Sequence, residues 1–196
     1  MKRIILGFMI CLLFGNCAKK EENKKAHSPY IISQKDKKIL THLKKQNIPP
    51  PPPEFYFHNQ IIIDKNGDFY FYQKEAVPWH CIESETDTIP DFINLKPIEI
   101  IKIPNNSCID FIKLNISNKT ERQRQIIIAS EKDTINNKNF NKILTFLNNS
   151  LSSKIDAFKI RRTTQEEDTV LKYKKNNEYY FSDSIKWDKT KIKFYK

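Results

Sequence analysis

Two runs of β-branched and aromatic residues on either side of an Asn-Gly step constrain this fold more than any other feature. Residues 55–63 and 69–72 form the two runs, and the segment between them contains Asn66 and Gly67. Strands favour such side chains, and an Asn-Gly step supplies the positive φ angles that a tight turn needs. We therefore predict a β-hairpin over residues 55–72.

The rest of the chain alternates between strand-like and helix-like patterns. Apolar runs predict strands, whereas apolar residues spaced three and four apart predict helices. Residues 125–129, 140–147 and 157–160 follow one another as strand, helix and strand, an order for which a parallel crossover is the default. We predict one α+β domain with a mixed sheet, a hairpin near its start and three to four helices. Further predicted strands are 97–103, 179–181, 185–187 and 191–194. Further predicted helices are 106–115, for which a strand is the alternative, and 165–175.

The composition places the chain among globular proteins. Of its 196 residues, 39% are hydrophobic and 12% are aromatic, so a single domain can bury a real core. The formal net charge is +11, but the lysines are spread along the whole length, without the dense basic cluster of a nucleic-acid-binding surface. We therefore expect a Lys-rich, solvated surface and no nucleic-acid partner.

The first residues have the pattern of an export signal. Lys2 and Arg3 precede an apolar run over residues 4–14, and this order is typical of a secretory signal peptide. As a helix, the run would cover only about 16 Å, against about 30 Å for the hydrocarbon core of a bilayer. The run is too short to predict a membrane-spanning anchor.

A cysteine lies three residues after the end of this run. The segment Gly15-Asn16-Cys17 resembles the lipobox of bacterial lipoproteins, although Asn16 stands where that family usually has Gly or Ala. The resemblance implies that residues 1–16 are removed and that Cys17 is lipidated, which would hold the exported protein at a membrane of the bacterial cell envelope. The alternative is an ordinary signal peptide that is cut near Ala18.

The segment behind Cys17 divides into a tether and a spacer. Residues 17–29 are polar and predict a lipid-anchored disordered tether, whereas residues 30–53 predict a short helix that ends at a polyproline spacer. Ser33, with Asp36 three residues later, predicts the capping box of that helix. Its apolar stripe is Ile39, Leu40 and Leu43, and residues 54–196 are predicted as the globular domain.

Two cysteines remain in the predicted domain. Cys81 and Cys108 have only one intramolecular pairing, and export to an oxidising compartment would permit a disulfide. Closing a loop of this size would stabilise the fold by about 3–4 kcal/mol. A free buried thiol is the alternative.

Candidate chemistry is sparse. The spacings of common zinc sites, phosphate loops and activated nucleophiles are absent from the sequence, so we predict no catalytic residue, metal or cofactor. The densest charged stretch follows the predicted strand 157–160 and opens a helix. Arg161, Arg162, Glu166 and Glu167 are the candidate ligand contacts there, because Arg can hold a carboxylate or phosphate with two hydrogen bonds. The alternative is a capped, solvent-exposed helix start with local ion pairs.

Two classes of function remain open. The first is an envelope lipoprotein with a non-catalytic binding or assembly role and another envelope protein as partner. The second is a small ligand-binding or enzymatic domain with its site at residues 161–168. The order of hairpin, strand, helix and strand also resembles the periplasmic domains of TolR-type biopolymer-transport proteins, although the membrane-spanning helix and aspartate of that family are absent. An immunity-type lipoprotein would fit the size and the anchor.

Overall fold

A computed structural model describes residues 28–50, 54–74 and 88–194 of the chain. The predicted signal peptide, Cys17 and Cys81 lie outside the described residues. The helices are α1 (Ile32–Lys45), α2 (Cys108–Asn115), α3 (Lys138–Asn148), α4 (Ser150–Ser153) and α5 (Gln165–Asn176). The strands are β1 (Tyr30–Ile31), β2 (Asn59–Ile63), β3 (Phe69–Gln73), β4 (Ile101–Ile103), β5 (Gln125–Ser130), β6 (Thr134–Ile135) and β7 (Ala157–Arg162).

The predicted α+β class with a mixed sheet is confirmed. Five strands form one sheet in the order β4-β3-β2-β5-β7. The β2–β3 and β3–β4 pairs are antiparallel, whereas β5 pairs in parallel with both β2 and β7. The parallel crossover from β5 through α3 to β7 is therefore as predicted. The described residues contain five α-helices, one more than the upper end of the prediction, because the single turn α4 was not anticipated.

The predicted hairpin is confirmed, but its turn differs from the expected one. Ile63 pairs with Phe69, so the turn spans residues 64–68, and its only positive φ is that of Gly67, at 86°. A Cβ atom on Gly67 would lie 2.8 Å from Nδ2 of Asn137, which donates a hydrogen bond to the Gly67 carbonyl. Asn137 also caps the start of α3, so this position joins the hairpin to that helix.

The two faces of the sheet bury different side chains. One face packs under α2 and α3 and is aliphatic and aromatic; we call it the α2/α3 face. The other packs under α5 and the segment 93–100, and we call it the α5 face; its core includes Tyr70 and Tyr72. The alternation of side chains along each strand assigns them to the faces. The α2/α3 face buries Ile61, Ile63, Phe69, Phe71, Ile126, Ile128, Ile112, Phe140 and Ile143, among others.

The packed structure begins earlier than the predicted boundary at residue 54. Strand β1 pairs with β6, and Ile32 is buried in the core of the α2/α3 face. The predicted capping box at Ser33 is wrong, because α1 starts one residue earlier. Asp133, from the turn before β6, supplies the cap instead: its carboxylate accepts hydrogen bonds from the Ser33 amide (2.9 Å) and hydroxyl (2.7 Å).

Two further strand predictions need correction. Residues 97–103 form a strand only from Ile101, because Pro97–Glu99 makes a 3-10 turn. The predicted closing strands within residues 179–194 are absent from the described part of the chain. A 3-10 turn at Ser182–Ser184 interrupts these short runs, and the segment pairs only through one isolated bridge between Asp91 and Lys193.

The other predicted helices agree with the structure. The predicted helix over 106–115 is α2, so the strand alternative there is wrong, and the predicted helix over 165–175 is α5. Among the described residues, no helix has the length and apolar character needed to cross a bilayer.

Candidate functional site

The charged residues singled out in the sequence lie where β7 ends and α5 begins. Thr164 caps α5 with its side chain, and Glu167 returns a hydrogen bond to the Thr164 amide, so the predicted capping box is confirmed. The solvent exposure expected for this helix start is wrong for three of the four candidate contacts and right for Arg162. Glu166 and Glu167 are both 0% exposed and Arg161 is 8% exposed.

Arg161 has all five of its guanidinium hydrogens engaged inside the domain. Two go to the Glu167 carboxylate, at 2.7 Å and 2.9 Å, as a bidentate pair. Two more reach the backbone carbonyls of Phe55 (2.8 Å) and Arg162 (2.9 Å). The last goes to the side-chain oxygen of Gln60 (3.4 Å). Because an arginine has five N–H donors, a ligand could bind here only by displacing a protein acceptor.

The carboxylate of Glu167 is hydrogen-bonded as fully as the guanidinium of Arg161. Besides the two bonds from Arg161, its oxygens accept hydrogen bonds from the Tyr72 hydroxyl (2.7 Å) and the Thr164 amide (2.8 Å). Burial raises the pKa of Glu167, but the positive charge of Arg161 and these hydrogen bonds outweigh burial and leave its pKa below the ordinary value. The pair is therefore charged in the interior. A buried ion pair needs a complete set of hydrogen bonds, because desolvation of each charge costs several kcal/mol.

Three aromatic and polar side chains complete this cluster, and the sequence prediction missed them. Tyr72 and Gln60 come from the hairpin, and the ring of Tyr56 lies 5.3 Å from the Arg161 guanidinium carbon. Burial next to Glu167 raises the pKa of both tyrosines, so they stay protonated. One feature of the sequence could have revealed this cluster: the polar Gln60 stands directly before three isoleucines in a strand that is buried.

Glu166 has its own partners, away from the Arg161 pair. Its two carboxylate oxygens accept hydrogen bonds from the backbone amides of Ile93 (2.9 Å) and Leu95 (2.6 Å). Burial raises the pKa of Glu166 to about 7 despite these two donors. Glu166 thus holds the segment 93–95 against α5.

Arg162 is the one candidate contact that faces outward. It donates to the backbone carbonyls of Ser130 (3.2 Å) and Glu131 (2.6 Å), which leaves Nη1 without an acceptor among the described residues. It borders an open hollow of about 440 Å³ at the carboxyl ends of β5 and β7. The other charged residues that line it are Arg161, Asp36, Asp133 and Lys191.

The predicted disulfide stays a prediction, because Cys81 lies outside the described residues. Cys108 is buried in the core of the α2/α3 face, and burial raises the pKa of its thiol to about 12. Its thiol is therefore protonated at neutral pH and a poor nucleophile. Within the part of the chain that the structure describes, no three His, Cys, Asp or Glu side chains come together as metal ligands would.

Chemically, the cluster at the start of α5 has the properties of a structural network. Its donors and acceptors already face one another, so it has no group poised to move a proton to or from a bound molecule. Of the four candidate contacts, only Arg162 is exposed, at the hollow that it borders. No protein-family model, curated protein sequence or solved structure matches this chain.

Proposed function

We propose that this chain is a lipid-anchored protein of the bacterial cell envelope with a non-catalytic binding or assembly role. The observation that carries the proposal is Cys17 at the end of an eleven-residue apolar run. A run of that length cannot hold a protein in a bilayer by itself. Two or more acyl chains on Cys17 would anchor it stably.

The non-catalytic part of the proposal rests on the charged cluster. Arg161 and Glu167 use their full hydrogen-bonding capacity on protein atoms, and Glu166 is bound to two backbone amides. Active sites usually hold titratable groups open towards a cleft. These groups instead serve the packing of α5 on the sheet.

The anchor is tested by replacing the lipidated residue. Cys17→Ala should move the protein out of the membrane fraction after a high-salt wash, and it should abolish labelling by radioactive palmitate. Cys11→Ala is the matched control, because it changes a cysteine within the same leader and should leave both results as in the parent chain. Palmitate label retained in the Cys17→Ala protein would contradict the proposal.

The hollow beside Arg162 favours a second candidate function, the binding of a small anion. Its support is Nη1 of Arg162, which has no acceptor in the part of the chain that the structure describes and lies at the carboxyl ends of two parallel strands, a position where ligands often bind in α/β sheets. Titration with inorganic phosphate should then shift the amide resonances of Thr163 and Gln165. Arg162→Gln should remove the shifts and Arg124→Gln, at the opposite end of β5, should not. Absence of shifts at millimolar phosphate would eliminate this candidate.

A further inference from the structure

Helix α1 carries apolar side chains that the domain does not cover. Only Ile32, its first residue, is buried. Further along, Ile39 is 56% exposed and Leu40 is 52% exposed, while Leu43 is half-buried. At 100° per residue these three side chains fall within an arc of roughly 100°, so they share one face of the helix.

The end of α1 extends that face. Asn47 has a positive φ of 55°, and the amide of Ile48 donates to the carbonyl of Leu43 at 3.0 Å, while the Asn47 amide donates to Lys44 at 3.2 Å. This is the Schellman motif, which commonly brings the residue after the left-handed position against the last helical turn. It places Ile48, itself 47% exposed, next to Leu43. The uncovered side chains therefore form one apolar strip, defined here as Ile39, Leu40, Leu43 and Ile48.

Lysines border the apolar strip on both sides. Helix α1 contains five lysines and one acid, Asp36, which gives it a net charge of +4. On the helical projection, Lys37 and Lys44 lie on one flank of the strip and Lys35 lies on the other flank. Lys38 and Lys45 lie on the opposite face of the helix, and Asp36 lies on the same face as the strip, one turn before it. A helix with an apolar strip and a lysine-rich polar surface has the chemistry of one that lies in a membrane interface.

The chain ahead of α1 keeps this helix close to the predicted anchor. Fifteen residue steps separate Cys17 from Ile32, which limits the distance between them to about 50 Å even when fully extended. A protein lipidated at Cys17 would therefore present α1 to the same bilayer.

We propose that α1 docks on an anionic lipid bilayer with its apolar strip among the acyl chains and its lysines at the headgroups. The proposal rests on the proposed lipid anchor for its proximity to a membrane. Charge favours the bilayer over a second copy of this chain, because two helices of +4 would repel each other, whereas each lysine near an anionic surface contributes roughly fivefold in binding.

Hydrogen exchange of the full, processed protein tests this, because it reports on α1 separately from the anchor. Vesicles of phosphatidylethanolamine and phosphatidylglycerol are added in excess, and phosphatidylcholine vesicles serve as the neutral comparison. With the anionic vesicles, exchange over residues 33–48 should slow by roughly tenfold or more, while exchange in β5 should not change. Neutral vesicles should give little slowing.

Matched variants locate the effect on the helix. Ile39→Ser/Leu40→Ser should abolish the slowing, whereas Leu151→Ser, at a leucine 91% exposed on α4, should retain it. Lys37→Gln/Lys44→Gln should remove most of the slowing, because each lysine contributes roughly fivefold to binding at the anionic surface. The control Lys186→Gln/Lys189→Gln removes the same charge from another exposed segment and should behave as the parent.

Three results would overturn the proposal: no slowing with anionic vesicles, equal slowing in Ile39→Ser/Leu40→Ser, or slowing without vesicles that grows with protein concentration. The last result would mean that a second copy of the chain covers the apolar strip. The mass of the N-terminal peptide shows whether Cys17 is lipidated, so it tests the anchor independently of the docking of α1. A lipidated Cys17 with an unprotected α1 refutes only the docking, and an unmodified Cys17 with a protected α1 refutes only the anchor.

Discussion

Helices α1 and α5 are both rich in charged residues, yet α5 buries two carboxylates whereas α1 leaves apolar side chains exposed. Helix α5 buries Glu166 and Glu167 completely, together with Val170 and Leu171. Helix α1 leaves Ile39 and Leu40 more than half exposed. In these two helices, therefore, the polarity of a side chain does not by itself decide whether it is buried.

The difference lies in what each helix meets. The carboxylates of α5 face fixed donors: Arg161, Tyr72 and backbone amides of the neighbouring segments. Among the described residues, the apolar strip of α1 meets no comparable surface, because the helix is held to the domain at its start, by the buried Ile32 and by the hydrogen bonds from Ser33 to Asp133. Helix α5 is therefore part of the folding unit, whereas the apolar strip of α1 is available for contacts outside it.

Breaking the ion pair under α5 should have the largest effect. Glu167→Ala leaves the Arg161 charge buried without its partner and should lower the free energy of unfolding by about 3–5 kcal/mol. Chemical denaturation measures this. Replacing both partners, as Arg161→Met/Glu167→Met, removes both charges together and should cost less than Glu167→Ala alone. A loss below 1 kcal/mol for Glu167→Ala would show that the pair is not needed for folding.

The second buried carboxylate of α5 should make stability depend on pH. The folded pKa of Glu166, about 7, lies above its ordinary value of 4.5, so between these values the folded state holds a proton that the unfolded chain has released. The free energy of unfolding should therefore fall as pH rises from 4.5 to 7, by on the order of 3 kcal/mol. Glu166→Gln should flatten this dependence, whereas the exposed Glu121→Gln should not. A parent protein with constant stability across this range would contradict the burial of an ionisable Glu166.

A smaller loss is expected when the cluster keeps its charges but loses one donor. Tyr72→Phe removes the hydroxyl that donates to Glu167 at 2.7 Å and should lower the free energy of unfolding by about 2 kcal/mol. Tyr179→Phe is the control, because Tyr179 is exposed and should tolerate the change. Equal effects of the two substitutions would mean that the Tyr72 bond does not stabilise the fold.

The smallest effect should appear in α1. Ile39→Ala/Leu40→Ala removes two exposed side chains and should change the free energy of unfolding by less than about 1 kcal/mol. The same type of change at the buried Ile143 of α3 should cost about 2–5 kcal/mol. A large loss in α1 would place its apolar strip inside the folding unit and remove the contrast with α5.

Local signals account for most of the fold that the sequence predicted. The hairpin, β5, α3, β7 and α5 each carry their own pattern of turn residues, apolar spacing or capping, so they could be identified before their partners were known. The pairing of β1 with β6 could not, because it joins residues more than 100 positions apart and each strand is only two residues long. Tyr179 and Phe181 resemble strand residues, yet both are exposed because turns interrupt their runs before they can pair.

The candidate site was located by sequence but its role was not. The pattern Arg161 to Glu167 marked a charged helix start, and nothing in that stretch reveals that β7 and α5 enclose it. Its burial follows from Tyr72 and Gln60 on the hairpin, which reach it only after the sheet has formed. The exposure of Ile39 and Leu40 was hidden for the same reason, since an amphipathic pattern predicts a helix without saying what covers its apolar side.

The mass of the N-terminal peptide recovered from the membrane fraction tests the anchor most directly. Helix α1 alone would hold the protein on a bilayer reversibly, so lasting attachment depends on lipid at Cys17. The resemblance to lipoproteins predicts a peptide that begins at Cys17, with a diacylglyceryl group on sulfur and usually an acyl chain on the new amine. A peptide that begins at Met1 or at Ala18, or an unmodified Cys17, would contradict a lipid-anchored protein.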